Sequence, residues 1–404
     1  MILLSLKLFQ HTPLLHFQGD QYLATLRASE VKPRLDKFII RNEFNNDFSR
    51  CKGFLIGYNE KNPGDLEAKF RNGYRALNYK MRISSPESEE PVAPDMRNAP
   101  MFFGNMGDEN STHPKKLAMS PENILEIRIP ETCSDLSGII LKHIGNMFMS
   151  TNFGTRKTKG YGSFTISDNR VSVSRPKLFF KSQKEDYAGM MKEIEWVHKA
   201  MRSGINDCFG RRRLYFKSLM FAYAKSKGRQ WDKRTIKKAF LDANELESQN
   251  NRHRHNDITS FDGQTPHYDY RDCLGLSSNE KWGSYNMSLT KDGGDIERFP
   301  SPIIFKPVWT GNVWRVYIIY EELPEEFKQA EITIGAQGRR PLGTLNLGID
   351  PKFSIRDFLD FIFKESNGDY AVDIRSLFSD ETENLDKMNR ILEIFEELRN
   401  NYNQ

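Results

Sequence analysis

The chain has 404 residues, enough for two or three domains, and its 38% hydrophobic and 12% aromatic residues exclude global disorder. The net charge of +5 is mildly basic and excludes no class of partner by itself. Four cysteines, Cys51, Cys133, Cys208 and Cys273, lie far apart without a CxxC pair, which argues against a zinc ribbon or a disulfide scaffold. This usage is typical of a reducing compartment, so we expect the protein in the cytoplasm.

The opening residues, "MILLSLKLFQHTPLLHF", predict a strand and not a signal peptide. They have no basic region and no cleavage site of small residues, and Lys7, Gln10 and His11 interrupt the apolar run. No apolar run approaches the roughly 18 residues of a membrane span, so we expect no membrane partner.

The next elements predict a first domain over residues 1–170. Ile2–Phe9 alternates like a strand, and apolar residues at i, i+4, i+7 and i+8 predict a helix over Ser29–Ile40, with Pro33 in its first turn. Asn123–Glu131 predicts a strand and Ser134–Met149 a helix, after which "GSFTIS" resumes a strand. This order of elements is ferredoxin-like, or RRM-like.

The rest of the chain predicts a helical insertion and a second α+β unit. Residues 171–290 contain three helical patterns between Lys184 and Asn250, followed by a polar loop rich in His and Asp. Residues 291–404 carry two strands around a "TGN" turn, a strand–glycine–arginine–strand segment over Ile332–Gly348, and two amphipathic helices. The predicted fold class is therefore α+β, with two ferredoxin-like units and a helical insertion.

Positive charge is concentrated in the middle of the chain. From Thr151 to Phe240 there are 22 Lys and Arg against 7 Asp and Glu, an excess of 15 that leaves −10 for the remainder. Solvated helix faces would explain any single cation. For the segment as a whole, cations mixed with aromatic residues favour a nucleic-acid partner.

The stretch "NFGTRKTKGYGSF", Asn152 to Phe164, combines three glycines, three cations and three aromatics without an acid. Glycines permit a loop with exposed N–H groups, and the cations match phosphates. Tyr161 and Phe164 are candidates for stacking on bases. The pattern is neither a Walker A loop nor a dinucleotide fingerprint. Its structural alternative is a hairpin-like turn with incidental charges.

This stretch resembles the glycine-rich loop of the RAMP superfamily, the ferredoxin-fold proteins of CRISPR effector complexes. Four further segments resemble the family's opening strand and Thr-Pro-Leu turn, its first basic helix, an arginine-then-LGL element and an R-x-x-SP strand: Gln10–Asp20, Ala24–Ile39, Tyr270–Ser277 and Glu297–Val308. The resemblance extends to about Gly348. The order and spacing of these segments are most similar to those of the first-listed subunit of the Cmr module of type III-B complexes.

The resemblance implies a non-catalytic subunit that binds guide CRISPR RNA near its 3′ part, beside other RAMP subunits, with target RNA as a further candidate partner. Phosphate contacts would give affinity without reading sequence. No cofactor and no metal are expected. The candidate RNA-binding residues are Arg27, Lys32, Gly154, Arg156, Lys157, Lys159, Gly160, Tyr161, Gly162, Arg211, Arg212, Arg339 and Arg340.

Two other functions remain open at this point. One is a metal-independent RAMP ribonuclease that processes guide precursors, with a histidine as general base; the candidates are His11, His16, His253, His255 and His267. The other is a protein scaffold whose basic segment binds acidic partners. His253 and His255 with Asp257 imitate metal ligands, but no second pair follows at ligand spacing. His143 lies on an apolar helix stripe, which predicts a core histidine.

Overall fold

The computed structural model describes residues 1–15, 25–60, 64–85, 119, 122–207, 212–240, 267–282, 287–294, 296, 298–337 and 341–404. Contacts divide the chain into two compact units. The first comprises Met1–Ile194 and Ile304–Ile319, and the second Glu195–Ile303 and Tyr320–Gln404. The three predicted domains, 1–170, 171–290 and 291–404, stay a prediction.

Both helices and strands are present, which confirms the α+β class. The strands are β1 Ile2–Gln10, β2 Lys80–Ser84, β3 Glu122–Ile129, β4 Phe164–Ile166, β5 Phe179–Lys181, β6 Ile205–Asn206, β7 Tyr215–Phe216, β8 Asn279–Trp282, β9 Met287–Asp292, β10 Ile303–Trp309, β11 Trp314–Tyr320, β12 Glu331–Gln337, β13 Pro341–Gly348, β14 Glu365–Ser366 and β15 Asp369–Tyr370. The helices are α1 Ala28–Asn42, α2 Phe48–Cys51, α3 Gly64–Arg71, α4 Leu136–Ser150, α5 Tyr187–Arg202, α6 Leu219–Ser226, α7 Asp232–Phe240, α8 Glu325–Lys328, α9 Ile355–Phe363 and α10 Leu385–Tyr402. None of the helices in these ranges is long and apolar enough to cross a membrane.

The first unit is built on a four-stranded antiparallel sheet of order β2-β3-β1-β4. Strand β1 alternates as its sequence predicts: Leu4, Leu6 and Leu8 are buried, while Leu3 and Lys7 are exposed. The buried leucines form one hydrophobic core with residues of α1 and α4, so these helices cover one face of the sheet. A smaller sheet of order β10-β11-β5 also lies largely in this unit.

Helix α1 begins earlier than its pattern suggested. It starts at Ala28, so Pro33 lies inside the helix and not in the first turn. The prediction took Ser29 as the helix start, but the helix is preceded by Arg27 in an extended conformation. Pro33 removes the hydrogen bond that its N–H would donate to the Ser29 carbonyl. Ser29 and Pro33 are both exposed, so water can bind that carbonyl instead.

The second unit has a different sheet. Its four strands have the order β13-β12-β9-β8, in which two antiparallel hairpins join through β9 and β12. Two short ribbons, β6-β7 and β14-β15, accompany it. The prediction of two ferredoxin-like units is therefore not confirmed as a pair, because these hairpins lack the helical crossovers of that fold among the described residues.

Candidate nucleic-acid interface

The glycine-rich loop connects α4 to β4 and is closed at its base. The N–H of Phe153 donates to the carbonyl of Gly162 at 2.9 Å. Within the loop, Gly154, Gly160 and Gly162 have φ angles of +75°, +93° and +67°, a region that residues with side chains rarely adopt. The sequence therefore places glycines where the loop reverses direction.

Residues that follow β1 hold the loop on one side. The N–H groups of Gly162 and Thr155 donate to the carbonyls of Pro13 and Leu15, both at 2.8 Å. The hydroxyl of Thr12 donates to the Gly160 carbonyl at 2.7 Å and accepts from an N–H of the loop, that of Ser163, at 3.0 Å. The Thr-Pro-Leu turn is thus one of the segments of this unit that hold the loop.

Strand β10 holds the loop on another side. The side-chain amide of Asn152 donates to the carbonyls of Lys157 at 2.6 Å and Phe305 at 2.7 Å. The N–H of Phe305 donates to the Thr158 carbonyl at 3.1 Å. These bonds fix the backbone of the cationic segment. Asn152 was not among the predicted site residues, although it opens the motif.

Two interpretations of the loop need correction. The glycines are required by protein packing: a Cβ on Gly162 would lie 2.0 Å from the carbonyl oxygen of Phe153, and one on Gly154 would lie 2.4 Å from that of Leu15. The ring of Tyr161 is buried, with 2% of its surface exposed, and Phe164 is fully buried. Neither ring is accessible for stacking on a base, because both are buried inside the protein.

The three cations remain at the surface of the loop. Arg156, Lys157 and Lys159 are each partly exposed. Arg156 has a φ of +58°, and its carbonyl accepts from the N–H of Lys159 at 2.8 Å. This turn places three cationic side chains within four residues on a backbone that is hydrogen-bonded at both ends.

The first turns of α1 contact the base of the loop. The Glu30 carboxylate accepts from the N–H of Gly154 at 2.8 Å and from Arg34 at 2.9 Å. Arg34 also donates to the Asn152 carbonyl at 2.7 Å, with its guanidinium 5.0 Å from the ring centre of Phe153. Glu30 and Arg34 were missed from sequence, although their i, i+4 spacing was a detectable signal of a pair. Arg27, a predicted residue, is exposed at the N-terminal end of the same helix.

Lys32 has a structural role. Its ammonium lies 2.6 Å from the Asp36 carboxylate, donates to the Leu77 carbonyl at 2.9 Å, and lies 4.2 Å from the ring centre of Tyr79. Three protein groups therefore use the charge that the sequence assigned to RNA, and Lys32 is not part of the proposed interface.

Two buried basic side chains, Lys306 and His11, lie next to the loop. Lys306 is fully buried and donates to the carbonyls of Phe164 at 2.7 Å and Thr151 at 3.0 Å. Burial lowers the pKa of Lys306 well below its ordinary value. Burial, with a smaller effect of Lys306, also lowers the pKa of His11 to about 3. The signal for Lys306 was a lysine inside the apolar strand "IIFKPVW".

The hydrogen bonds of His11 define its tautomer. Its Nδ1 accepts from the N–H of Trp309 at 3.0 Å, so Nε2 carries the hydrogen and donates to the Thr165 hydroxyl at 2.8 Å. Both ring nitrogens are therefore occupied by the protein. With a pKa of about 3, His11 is also a weak proton acceptor near neutral pH.

The other predicted residues lie in the second unit or outside the described ranges. Arg212 lies in the second unit, where it is exposed and 3.1 Å from the Asp386 carboxylate. His267 also lies in that unit, with its Nδ1 3.5 Å from the Thr235 hydroxyl. The remaining predicted residues fall outside the described ranges: Arg211, Arg339, Arg340, His16, His253 and His255.

The sequence analysis weighed His253, His255 and Asp257 as metal ligands but expected no metal, and it predicted that His143 is a core histidine. Within the described ranges, no group of three His, Cys, Asp or Glu residues has metal-binding geometry. His143 is buried against Glu43 at 2.6 Å, as predicted for a core histidine.

The arginine-then-LGL element forms a buried charge cluster in the second unit. Arg271 is fully buried and lies 2.5 Å from both Asp232 and Glu280. Asp272 pairs with Arg202 at 2.8 Å and with Lys291. These pairs use the cations inside the protein, which indicates a structural role for the element.

Comparison with known proteins gives the same family over both units. A family model described as the Cmr1 N-terminal domain matches residues 1–205, and one described as the Cmr1 C-terminal domain matches residues 215–388. The chain is also similar to the crystal structure of Cmr1 from Pyrococcus furiosus (apo form), at 9% identity and a TM-score of 0.33, over 80% of this chain and 89% of that chain. No curated protein matches the chain.

Proposed function

Because the chain belongs to the Cmr1 family and is thus a type III-B Cmr complex subunit, we propose that it binds the phosphate backbone of the guide CRISPR RNA, near its 3′ end. The observation that carries the proposal is the cationic turn Arg156–Lys159. Asn152 and Phe305 hydrogen-bond to its backbone, and residues that follow β1 hydrogen-bond to Thr155 and Gly160 on either side of it. Its three cationic side chains are partly exposed. A fixed backbone lowers the ordering cost of binding a flexible polyanion.

The chemistry of the turn suits a ligand of any sequence. Arginine offers a fork of donors and lysine a point charge, and both bind phosphate oxygens without contacting base edges. The aromatic side chains that would read or stack bases, Tyr161 and Phe164, are buried. A guide-binding subunit must accept any spacer, and a site restricted to phosphate contacts meets this requirement.

A non-catalytic role is part of the proposal, together with guide RNA and other RAMP subunits as partners. The alternative of a metal-independent ribonuclease needs a histidine that accepts a proton. His11 is buried, bonded at both ring nitrogens and has a lowered pKa, which supports a structural role for it. We also propose that the first unit is a ferredoxin-like RAMP domain, because its strand order β2-β3-β1-β4 is that of the fold.

The test is a charge reversal in the turn: Arg156→Glu, Lys157→Glu and Lys159→Glu in the full-length protein. We expect affinity for a fluorescein-labelled guide RNA, measured by anisotropy, to fall about tenfold or more at low salt. The slope of log affinity against log salt should also decrease, by about 0.7 for each phosphate that the variant no longer neutralises. The unfolding midpoint should change little, because the three side chains are partly exposed.

A matched control separates local from net charge. Lys37→Glu, Arg41→Glu and Lys69→Glu change the net charge equally, at exposed positions of α1 and α3 outside the turn. This variant should bind within about twofold of the wild type. Equal losses in both triple variants, or no loss in the turn variant, would reject the assignment of the turn. Cleavage of repeat RNA without added metal would instead support the ribonuclease.

A further inference from the structure

The sheet of the first unit has a second face, opposite the one covered by α1 and α4. The odd residues of β1, the even residues of β3 and Lys80, Arg82 and Ser84 of β2 belong to this open face by register. Its side chains are largely exposed: Leu3 by 56%, Ile124 by 43% and Phe9 by 38%. These are the most exposed large apolar side chains of the sheet.

The open face is also cationic. Lys7, Lys80, Arg82 and Arg128 are exposed on it, against two acids that register places there, Glu122 and Glu126. Arg82 is the cross-strand partner of Glu126, and Lys80 that of Arg128. Among the described residues, none of the four cations forms an ion pair. Two cations directly opposite each other repel, so Lys80 and Arg128 are unfavourable unless an anion lies between them.

We propose that this open face binds single-stranded RNA, with the ring of Phe9 stacking on a base and the four cations contacting phosphates. Four-stranded sheets of RRM type bind RNA through aromatic residues on their strands, and aromatic platforms beside cations are the general solution for single strands. The buried rings of the glycine-rich loop cannot serve as such a platform, whereas Phe9 is accessible. The proposal concerns a second surface and does not depend on the turn at Arg156–Lys159.

An acidic protein partner would account for the cations of the open face but not for an exposed aromatic ring that is held in a fixed orientation. Phe9 lies at the end of β1, tilted against His11 with ring centres 4.8 Å apart. Because the His11 ring is fixed by two hydrogen bonds, it orients Phe9 and limits its motion. A rigid, half-exposed ring next to Lys7 is suited to stacking on a planar base, so the chemistry favours RNA.

The experiment measures binding of a 20-nucleotide oligouridylate by the full-length protein. We expect Phe9→Ala to weaken binding about fivefold or more, and Phe9→Tyr to retain near wild-type affinity, because stacking needs the ring. Lys7→Glu with Arg82→Glu should weaken binding at low salt and reduce its salt dependence. The matched control is Lys37→Glu with Arg41→Glu, which reverses two exposed cations of α1 on the other side of the sheet.

RNA that contains 4-thiouridine should photocrosslink to the peptide that contains Phe9. The same crosslink should form in the triple turn variant of Arg156, Lys157 and Lys159. That result separates this surface from the turn, since either can fail alone. Wild-type affinity in both Phe9→Ala and the Lys7/Arg82 double variant would overturn the proposal. The proposal would also be overturned if these variants bound RNA normally but no longer co-purified with other Cmr subunits. That result would assign the open face to a protein partner.

Discussion

Gly162 is the residue at which the loop has least freedom. Its φ of +67° disfavours any side chain, and a Cβ would lie 2.0 Å from the Phe153 carbonyl oxygen, next to the bond that closes the loop. Gly57 offers a comparison, because its φ is +80° but nothing lies within 4 Å of its Cβ position. Comparing substitutions at these two glycines therefore separates the energetic cost of a positive φ from that of a steric collision of the added Cβ.

We therefore predict that Gly162→Ala lowers the free energy of unfolding by about 2 kcal/mol more than Gly57→Ala. The conformational cost of roughly 1 kcal/mol is common to both, and only Gly162 adds the collision. Urea denaturation followed by circular dichroism measures both variants. Equal losses would mean that the carbonyl of Phe153 moves freely, and the loop would then not be rigid.

His11 makes stability depend on pH. Its pKa is lowered from 6.5 to about 3, so between these values the unfolded chain binds a proton that the folded chain does not. Stability contributed by neutral His11 is complete above pH 6.5 and is lost as the pH falls toward 3. The slope is at most about 1.4 kcal/mol per pH unit.

We predict that His11→Gln flattens the dependence of the urea midpoint on pH between 6 and 4. The control is Thr165→Val, which removes the partner of Nε2 but keeps the titrating ring, and should keep the slope. A His11→Gln variant with the wild-type slope would show that other groups cause the pH dependence.

At the scale of elements, buried charges connect parts of the second unit. Arg271 pairs with Asp232 in α7 and with Glu280 in β8, so one buried arginine connects a helix to a strand. Asp232 and Arg271 are both fully buried. Removing one member of such a pair costs more than the pair contributes, because the other charge is left without compensation.

Arg271→Met is accordingly expected to destabilise the protein by about 3–5 kcal/mol. The exposed Arg375 is the control, and Arg375→Met should change stability by no more than about 0.5 kcal/mol. Both are measured by urea denaturation. A loss below about 1 kcal/mol for Arg271→Met would indicate that water reaches the cluster and solvates Asp232.

At the scale of the whole molecule, some cations are exposed at the surface, whereas others are buried or paired with acidic side chains. The sequence counts 22 cations between Thr151 and Phe240, but charge alone does not say which are available to a polyanion. In the first unit the partly exposed cations of the turn remain candidates, whereas Lys306 is buried. In the second unit Arg202 is paired with Asp272. Two surfaces of the first unit, the turn and the open sheet face, carry the proposed RNA contacts.

The sequence by itself determined the α+β class, the family, and β1, α1, β3, α4 and β4 of the first unit, because hydrophobic periodicity and short motifs are local in the chain. It did not predict β2, α2 or α3. It also located the glycine-rich loop. Only the tertiary structure decided that Tyr161 is buried, that Lys32 is neutralised by Asp36, and that Asn152 fixes the cationic turn. These facts depend on residues distant in sequence, such as Pro13 and Phe305, and burial and hydrogen bonding arise only when folding brings such residues together.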